Sequence, residues 1–452
     1  MFKTYDSAYQ YLCRFTDYER MAKFNYNQTT FNLKRMNRLL ECLDNPHRQL
    51  NAIHIAGTKG KGSTALILAS ILKQAGYQVG LFTSPHLVSL QERIQINGEP
   101  ISKQTFTKIM NQLHPYLKKL KPTFFEIITA IAFLYFHEQK VDWAIMEVGL
   151  GGRLDATNVI IPKLSIITRI DFDHTDKLGH TLTKIAREKA GIIKRNVPVI
   201  AFEQDPTVNR VFKAIARKHH APLRFVSSPK ARSIVRQSVS KLPFLGNHQL
   251  VNSGLALTAL KLLKSTKLIK LSKSAIRTGL KQTSLPARIE LINRKPLVIL
   301  DSAHNPVAIQ ALRDTITNTF SLSLINFPPS PSPLPLRERE RVRGKRQVIL
   351  IISIARDKEV KKILDILIPM ASMLIFTQAR NPRMCTLIDF IKHTKDCYLP
   401  IPIFSEPDSR QALGLAMKLA KPKDLVVITG SFYLAGEIKS LSKLSGNGSR
   451  PA

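Results

Sequence analysis

The stretch HIAGTKGKGSTALILASIL (residues 54–72) carries the strongest structural signal in the chain. Residues 52–56 form a short apolar run typical of a buried strand, and apolar residues recur at helical spacing after Ser63 until Gly76. A glycine-rich turn therefore joins a strand to a helix, where backbone N–H groups converge and the helix N-terminus carries positive potential. This arrangement predicts a phosphate-binding loop.

The loop departs from the common nucleotide-binding pattern, which has four residues before its Gly-Lys pair and a Ser or Thr directly after the lysine. In GTKGKGS only two residues precede the Gly-Lys pair, and a glycine separates the lysine from the serine. An ordinary glycine-rich turn is the alternative, but three glycines interleaved with two lysines are more than a turn requires. The residues predicted to hold phosphate are Gly57, Thr58, Lys59, Gly60, Lys61, Gly62 and Ser63.

Composition predicts a large globular protein. The 452 residues are 44% hydrophobic, which suits two or three domains. The longest apolar runs, such as 127–136 and 348–355, are far shorter than the ~20 residues of a spanning helix, and residues 1–15 do not resemble a secretory signal. The four cysteines show no paired ligand spacing, which argues against structural zinc and fits a reduced compartment. We therefore expect a cytoplasmic protein without a membrane segment.

The formal net charge of +36 is unusual and would ordinarily suggest nucleic acid. The basic residues, however, are spread along nearly the whole chain, and no nucleic-acid-binding module is recognisable. We expect a basic surface that attracts anionic small molecules, with no nucleic-acid partner. A nucleic-acid-binding NTPase is kept as the alternative from a different functional class.

Apolar strands alternate with segments of helical periodicity such as 125–137 and 182–193, which predicts parallel sheets covered by helices. The pattern starts afresh near residue 285, so we predict two α/β domains, 1–284 and 285–452. Residues 326–344 are dense in proline and alternating charge and are predicted to be a disordered insertion. Further strands are predicted at 79–83, 143–148, 164–170, 197–202, 297–301, 348–354, 373–377 and 425–429.

Polar segments follow three of these strands. They are TSPHL (83–87), EVGLGGRLDATN (147–158) and DFDHTDKLG (171–179). Ligands bind beyond the carboxyl ends of parallel strands, and a hydroxyl, a carboxylate and an imidazole beside a phosphate loop would suit Mg²⁺ on nucleotide phosphates.

The whole series of motifs resembles folylpolyglutamate synthase and dihydrofolate synthase, a family within the Mur ligase superfamily. The resemblance runs from about residue 30 to 440 and includes the unusual spelling of the loop. It implies a P-loop-containing Mur-ligase-type ATPase domain with a parallel sheet, followed by a smaller Rossmann-like α/β domain. The motifs in chain order are GTKGKGS, TSPHL, TFFE, EVGLGGRLDATN, DFDHTD, LGHTLTKIAREKAGI, GNHQLVN, LDSAHNP, RDK and TGSFYLAGEI.

The resemblance also implies roles for single residues. Two Mg²⁺ sites are expected, one at Ser84 and Glu147 and one at His174 and Lys189, and the lysine is commonly carbamylated in this family. ATP would be held by the loop, with Lys61 on the γ-phosphate. The further residues implied for the nucleotide are Asn252, Arg288 and Asp301. Those implied for the pterin or folate are Thr123, Phe125, Glu126 and Asp155. His304 and Ser431 are implied near the incoming glutamate, and the expected catalytic residues are Lys61, His174, Lys189, Asp301 and His304.

The implied reaction adds L-glutamate to dihydropteroate or reduced folates through an acyl phosphate, in a monomer whose C-terminal domain closes during catalysis. Another Mur-type ligase acting on a UDP-muramoyl substrate is the alternative. The chain has Ala287 and Ser302 where the family usually has Gly, and Lys177 where it usually has Trp. These departures leave open a weakened enzyme that retains the fold.

Overall fold

The computed structural model describes residues 1–19, 21, 24–320, 346–394 and 401–444, with side chains described as far as 441. The predicted insertion at 326–344 lies outside the described residues. The chain divides into two compact units. Unit 1 comprises Met1–Pro243 and His248–Ser284, and unit 2 comprises Phe244–Asn247 and Leu285–Ala452.

Unit 1 is built on an eight-stranded sheet in the order β4-β3-β2-β5-β1-β6-β7-β8. The strands from β2 through β8 in this order run parallel, whereas β3 and β4 form an antiparallel edge. The central β1 is buried along its whole length and pairs with both β5 and β6. The strands are β1 Ala52–Ala56, β2 Val79–Phe82, β3 Ile94–Ile96, β4 Glu99–Pro100, β5 Trp143–Glu147, β6 Leu164–Ile167, β7 Val199–Phe202 and β8 Leu223–Val226.

Helices cover this sheet because parallel neighbours need crossover connections. The helix after β1, α3, packs closely on α11, where Ser70 Oγ donates to the carbonyl of Gly279 at 2.7 Å. The helices of this part are α1 Tyr5–Leu12, α2 Leu33–Glu41, α3 Lys61–Gln74, α4 Lys103–Leu120, α5 Phe124–Glu138, α6 Thr175–Leu178, α7 Leu182–Lys189, α8 Pro206–Lys218, α9 Ser228–Ser238, α10 Asn247–Ser265 and α11 Lys273–Gln282.

Unit 2 contains a six-stranded sheet in the order β13-β12-β11-β14-β10-β9, parallel except for β9. Its own apolar core lies between this sheet and its helices. The strands are β9 Glu290–Arg294, β10 Leu297–Leu300, β11 Val348–Ile352, β12 Met373–Phe376, β13 Ile403–Ser405 and β14 Leu425–Thr429. The helices are α12 Pro306–Phe320, α13 Val360–Leu367, α14 Leu387–Thr394, α15 Ser409–Leu419 and α16 Phe432–Leu444.

The α/β class with parallel sheets is confirmed, and every strand predicted from the sequence is present. Several elements are shorter than predicted, two of them by three or four residues. The strand predicted at 164–170 ends at Ile167, and the helix predicted at 182–193 ends at Lys189, where a single 3₁₀ turn follows. No helix in the described part of the chain is long and apolar enough to cross a membrane.

Candidate active site

The glycine-rich loop joins β1 to α3 in a backbone conformation that side chains would obstruct. Gly57 and Gly60 have φ of +148° and +89°. A Cβ added to Gly57 would lie 1.8 Å from Thr168 Oγ1, and one added to Gly60 would lie 2.3 Å from Asn252 Oδ1. Helix α3 begins at Lys61, so its first-turn N–H groups face this loop. The loop of residues 57–63, called the glycine cradle below, can thus accept an anion but has no room for side chains at Gly57 and Gly60.

The segment after β6 makes hydrogen bonds and an ion pair with the phosphate loop. The backbone N–H groups of Thr58 and Lys59 donate to the carbonyl of Arg169 at 2.8 and 3.2 Å. The Thr58 hydroxyl both accepts from the N–H of Asp171 and lies 3.2 Å from its carbonyl oxygen. Lys59 Nζ pairs with Asp173 Oδ2 at 2.9 Å. These contacts fix the loop against the segment that carries DFDHTD.

Glu147 and Ser84 lie at the carboxyl ends of two neighbouring parallel strands, β5 and β2. Glu147 is 3% exposed, and the backbone N–H of Ser84 donates to its Oε2 at 3.2 Å. The structure therefore brings together the two residues predicted for the first Mg²⁺ site.

His174 is the N-cap residue of the short helix α6 and has a positive φ of 49°. Its side chain is half-exposed, and its Nε2 lies 4.0 Å from Asp173 Oδ1. Within the described ranges no group of three or more His, Cys, Asp and Glu is arranged to hold a metal ion.

Lys189, the last residue of α7, is 5% exposed. Burial, together with the positive charges of Lys61 and Lys59, lowers the pKa of Lys189 to about 7, against the opposing influence of Asp173 and Asp155. The amine is therefore within electrostatic reach of the phosphate loop, and a substantial fraction of it is neutral near pH 7.

The residues predicted for the pterin or folate lie at the start of α5 and in the loop that follows β5. A Cβ added to Gly149 would lie 2.5 Å from the Phe125 ring, so this ring packs closely against the loop that follows Glu147. Thr123 and Glu126 form a capping box at the start of α5. Glu126 also makes a two-pronged ion pair with Arg35, with N–O distances of 2.8 and 2.9 Å.

Asp155 differs from these residues because its carboxylate is engaged within the chain. It is buried and accepts from the N–H groups of Gly149, Leu150 and Thr157 at 3.0 Å. Its predicted contact with substrate stays a prediction, and the geometry shows that it shapes the loop.

A second cluster lies within unit 2, at the carboxyl ends of β10 and β14. Asp301 accepts from the N–H groups of Ile289 and Ala303 at 2.8 and 2.7 Å. The His304 and Phe432 rings have centroids 5.5 Å apart, and the Arg288 guanidinium lies 5.8 Å from the same phenyl ring. Ser431 Oγ accepts from the N–H of Leu434 in the first turn of α16.

Comparison with known proteins identifies this arrangement. Residues 55–260 match the Mur ligase middle domain family. The dihydrofolate synthase/folylpolyglutamate synthase of Bacillus subtilis is 32% identical over 464 aligned positions, covering 95% of this chain and 100% of the relative. The chain belongs to the dihydrofolate synthase/folylpolyglutamate synthase family.

Solved structures of the family agree. Folylpolyglutamate synthase of Mycobacterium tuberculosis, complexed with ADP, superimposes with a TM-score of 0.81 at 27% identity over 99% of both chains. The enzyme of Thermotoga maritima gives 0.77 at 30% identity over 98% of both chains. As a member of this dihydrofolate synthase/folylpolyglutamate synthase family, the protein is an ATP-dependent glutamate ligase, which favours the leading interpretation of the sequence over a UDP-muramoyl ligase.

Two departures from the family pattern have structural consequences. Ala287 has a φ of +51°, the left-handed region in which a Cβ is unfavourable, so the alanine is strained at this position. Lys177 places its Nζ 4.4 Å from the centroid of the Phe24 ring and 2.6 Å from Asp176 Oδ2, so a cation–π contact and an ion pair stand where the family usually has Trp.

Several residues at this site were not singled out from the sequence. Asp173 lies inside a quoted motif, directly before His174, and this position could have identified it. Thr157 and Gln249 also lie inside quoted motifs, and Gln249 Oε1 accepts from Nδ2 of Asn252, three residues further on. The others contact residues far along the chain and have no local signal: they are Arg35, His54 and Thr168.

Proposed function

We propose that the protein joins L-glutamate to 7,8-dihydropteroate, to reduced folates or to both, through an acyl phosphate. A carboxylate is a poor electrophile, so its oxygen would first attack the γ-phosphorus of ATP, with ADP as the leaving group. The glutamate amine would then attack the acyl carbon and displace phosphate. The observation that supports this best is the glycine cradle of residues 57–63 beside a buried carboxylate and a buried lysine.

The chain's own groups would hold the phosphates of ATP. The N–H groups at the start of α3 supply a preorganised anion site, and Lys61 at its first position supplies a full positive charge. Asn252 lies against the loop at Gly60, since its Oδ1 is 2.3 Å from the position that a Cβ of Gly60 would take. These groups need no reorganisation as the phosphoryl group moves, which is the condition for effective electrostatic stabilisation.

The residues present fit Mg²⁺ at the first site. A buried carboxylate oxygen and a hydroxyl are ligands that this ion prefers, and Glu147 and Ser84 supply them side by side. Bound Mg²⁺ supplies positive charge that offsets the charge of the transferring phosphoryl group.

The second site, formed by His174 and Lys189, requires that the lysine lose its charge, because an ammonium would repel a cation. Burial beside Lys61 and Lys59 favours the neutral amine. The neutral nitrogen would attack the carbon of CO₂ and lose a proton, which forms a carbamate with anionic oxygens. We propose that Lys189 is carbamylated in the working enzyme.

For the substrates, Phe125 offers an aromatic surface to the pterin, and Thr123 and Glu126 support the start of α5 below it. Glu126 would act together with Arg35, its ion-pair partner. The same proposal assigns Arg288 and Asp301 to the nucleotide, and His304 and Ser431 to the glutamate.

A product assay tests the proposal. Dihydropteroate and tetrahydrofolate are supplied separately with ATP, Mg²⁺ and L-glutamate, and products are identified by mass spectrometry. One glutamate added to dihydropteroate would establish the first activity, and a ladder on tetrahydrofolate would establish the second. ADP release that does not depend on glutamate or on either pterin substrate would refute the proposal.

A further inference from the structure

A buried chain of hydrogen bonds connects β1 with the loop after β5. His54 is fully buried in β1, and its Nε2 lies 2.8 Å from the hydroxyl oxygen of Thr157. That hydroxyl contacts Asp155 Oδ1, which also accepts from the backbone N–H of Thr157. The other oxygen of Asp155 accepts from the N–H groups of Gly149 and Leu150. The three side chains that form this series of hydrogen bonds, those of His54, Thr157 and Asp155, are all buried.

The direction of donation follows from the inventory of donors. His54 Nδ1 has no hydrogen-bond partner among the described residues. A buried N–H without an acceptor is rarer and more costly than an unused lone pair, so the ring proton belongs on Nε2. His54 therefore donates to Thr157, and the Thr157 hydroxyl donates to Asp155. Burial also lowers the pKa of His54 to about 3, which keeps the ring neutral at physiological pH.

The loop held by Asp155 lies between the two candidate metal sites. It begins directly after Glu147, and it touches the end of α7. A Cβ added to Gly152 would lie 2.9 Å from the carbonyl oxygen of Lys189, and Arg153 N–H donates to the carbonyl of Glu188 at 2.8 Å. A shift of this loop would therefore be felt at both Glu147 and Lys189.

We propose that His54 and Thr157 are positioning residues for ligation: they orient the Asp155 carboxylate, which fixes the loop of residues 148–155 and with it Glu147 and Lys189. This inference rests on the proposed function, because it takes those two residues as metal-holding groups. Neither His54 nor Thr157 is within the set predicted from the sequence. Their effect would be transmitted through packing and hydrogen bonds alone.

The loop itself provides a test that needs neither activity nor metal. Thr157→Val keeps the shape of the side chain and removes the hydroxyl, whereas Thr157→Ser retains it. Hydrogen–deuterium exchange at the amides of Gly149 and Leu150 is expected to be at least about 10-fold faster in T157V than in the parent and little changed in T157S. Thr258→Val is the matched control, since Thr258 is also buried and its hydroxyl bonds only within α10, to the carbonyl of Gly254.

Kinetics provide the second readout. T157V is expected to lower kcat by about 10- to 100-fold and to raise the Mg²⁺ concentration for half-maximal rate, with the KM for the pterin substrate changed far less. His54→Leu should give the same effects, and the double variant should be no worse than either single variant. His54→Gln, which retains a donor near the Nε2 position, should recover part of the rate.

The outcomes separate the two proposals. If the parent protein forms no glutamylated product but T157V still exchanges faster at Gly149 and Leu150, the proposed function fails while the loop role stands. If exchange, kcat and Mg²⁺ dependence are all unchanged in folded T157V and H54L, the positioning role is wrong. If T157V does not fold, the same three measurements are compared between His54→Gln and His54→Leu, and equal values in the two variants would show that the positioning role is wrong.

Discussion

The carbonyl oxygen of Ala287 accepts two hydrogen bonds from Ser302, one from its backbone N–H at 2.9 Å and one from its hydroxyl at 3.0 Å. The two positions at which the chain has a side chain in place of the usual glycine are therefore in direct contact. Only one of them is strained, because Ala287 has a positive φ whereas Ser302 does not. The extra hydroxyl of Ser302 provides a bond that glycine could not make, and it holds the strained turn that precedes Arg288.

Ala287→Gly is expected to raise the free energy of unfolding by up to ~1 kcal/mol. The gain from removing left-handed strain exceeds the added backbone entropy of glycine in the unfolded chain. Denaturant unfolding measures it. Ala371→Gly serves as the control, because Ala371 is equally buried in unit 2 but has a φ of −89°, so glycine should destabilise it. Equal destabilisation by both changes would contradict the strain argument.

Ser302→Ala is expected to destabilise unit 2 by about 1 kcal/mol, since it removes one hydrogen bond to Ala287 and leaves the backbone bond in place. The loss should shrink when Ala287 is already glycine, because the turn then needs less restraint. A double-mutant cycle from unfolding curves measures this coupling. Strict additivity would show that the two positions act independently.

Gly60→Ala is expected to weaken ATP binding by more than about tenfold, because a Cβ there combines left-handed strain with a contact 2.3 Å from Asn252 Oδ1. Calorimetric titration with a non-hydrolysable ATP analogue measures the affinity. Gly98→Ala is the control, since Gly98 has a similar φ of +84° and no atom within 4 Å of the added Cβ. It should lose stability but retain ATP affinity. Normal affinity in G60A would remove this loop from the phosphate site.

Lys189→Ala is expected to reduce ligation at least about 100-fold while the protein stays folded, because the change removes the proposed metal-holding group and no large apolar side chain. Acetate should restore part of the rate by supplying a carboxylate. Lys184→Ala, an exposed lysine on the same helix, is the control. Carbon-13 NMR with labelled CO₂ should show a carbamate signal in the parent that is absent from the alanine variant. Near-normal turnover of the variant without acetate would rule out the carbamate.

Stability should fall as the pH drops below about 6.5. Burial lowers the pKa of His47 from 6.5 to about 4, so between these values the unfolded chain binds a proton that the folded chain does not. Stability therefore rises with pH across this window. When the pH is lowered from 7 to 5, the free energy of unfolding should fall by about 1–2 kcal/mol less in His47→Gln than in the parent protein. Urea unfolding at the two pH values measures this difference. An identical pH dependence would mean that His47 is protonated in the folded state.

The phosphate loop could be predicted because all the features that indicate it lie close together in the sequence. A short apolar run, interleaved glycines and lysines, and apolar residues at helical spacing follow one another within about twenty residues. It also predicted that the three polar segments would meet, because parallel strands end at a common edge. Contacts made across the fold could not be predicted. Arg35 and Glu126 are 91 residues apart and meet because α2 packs on α5, whereas His54 and Thr157 are 103 apart and meet because β1 lies beside β5.

Five strands at or next to the sheet edges were also missed: β3, β4, β8, β9 and β13. Three of them, β3, β4 and β13, have only two or three residues each and cannot show a period. The strain at Ala287 depends on contacts that the sequence does not show: the N–H groups of Ala287 and Ile289 donate to Glu290 and Asp301, and these bonds influence the backbone dihedrals as much as the residue itself does.

The central place of β1 has a consequence for how the protein folds as it is synthesised. Ala52 pairs with Ala144 and Ile53 with Leu164, so both neighbours of this strand emerge from the ribosome long after it does. Closing such long loops is entropically costly, and folding slows as contacts become less local. Strand β1 therefore stays unpaired in the nascent chain until its neighbours have been made. During that time its apolar residues are exposed to chaperones and to aggregation. Strand β1 is thus made early in synthesis but gains its two neighbours only after residues 144 and 164 have been added.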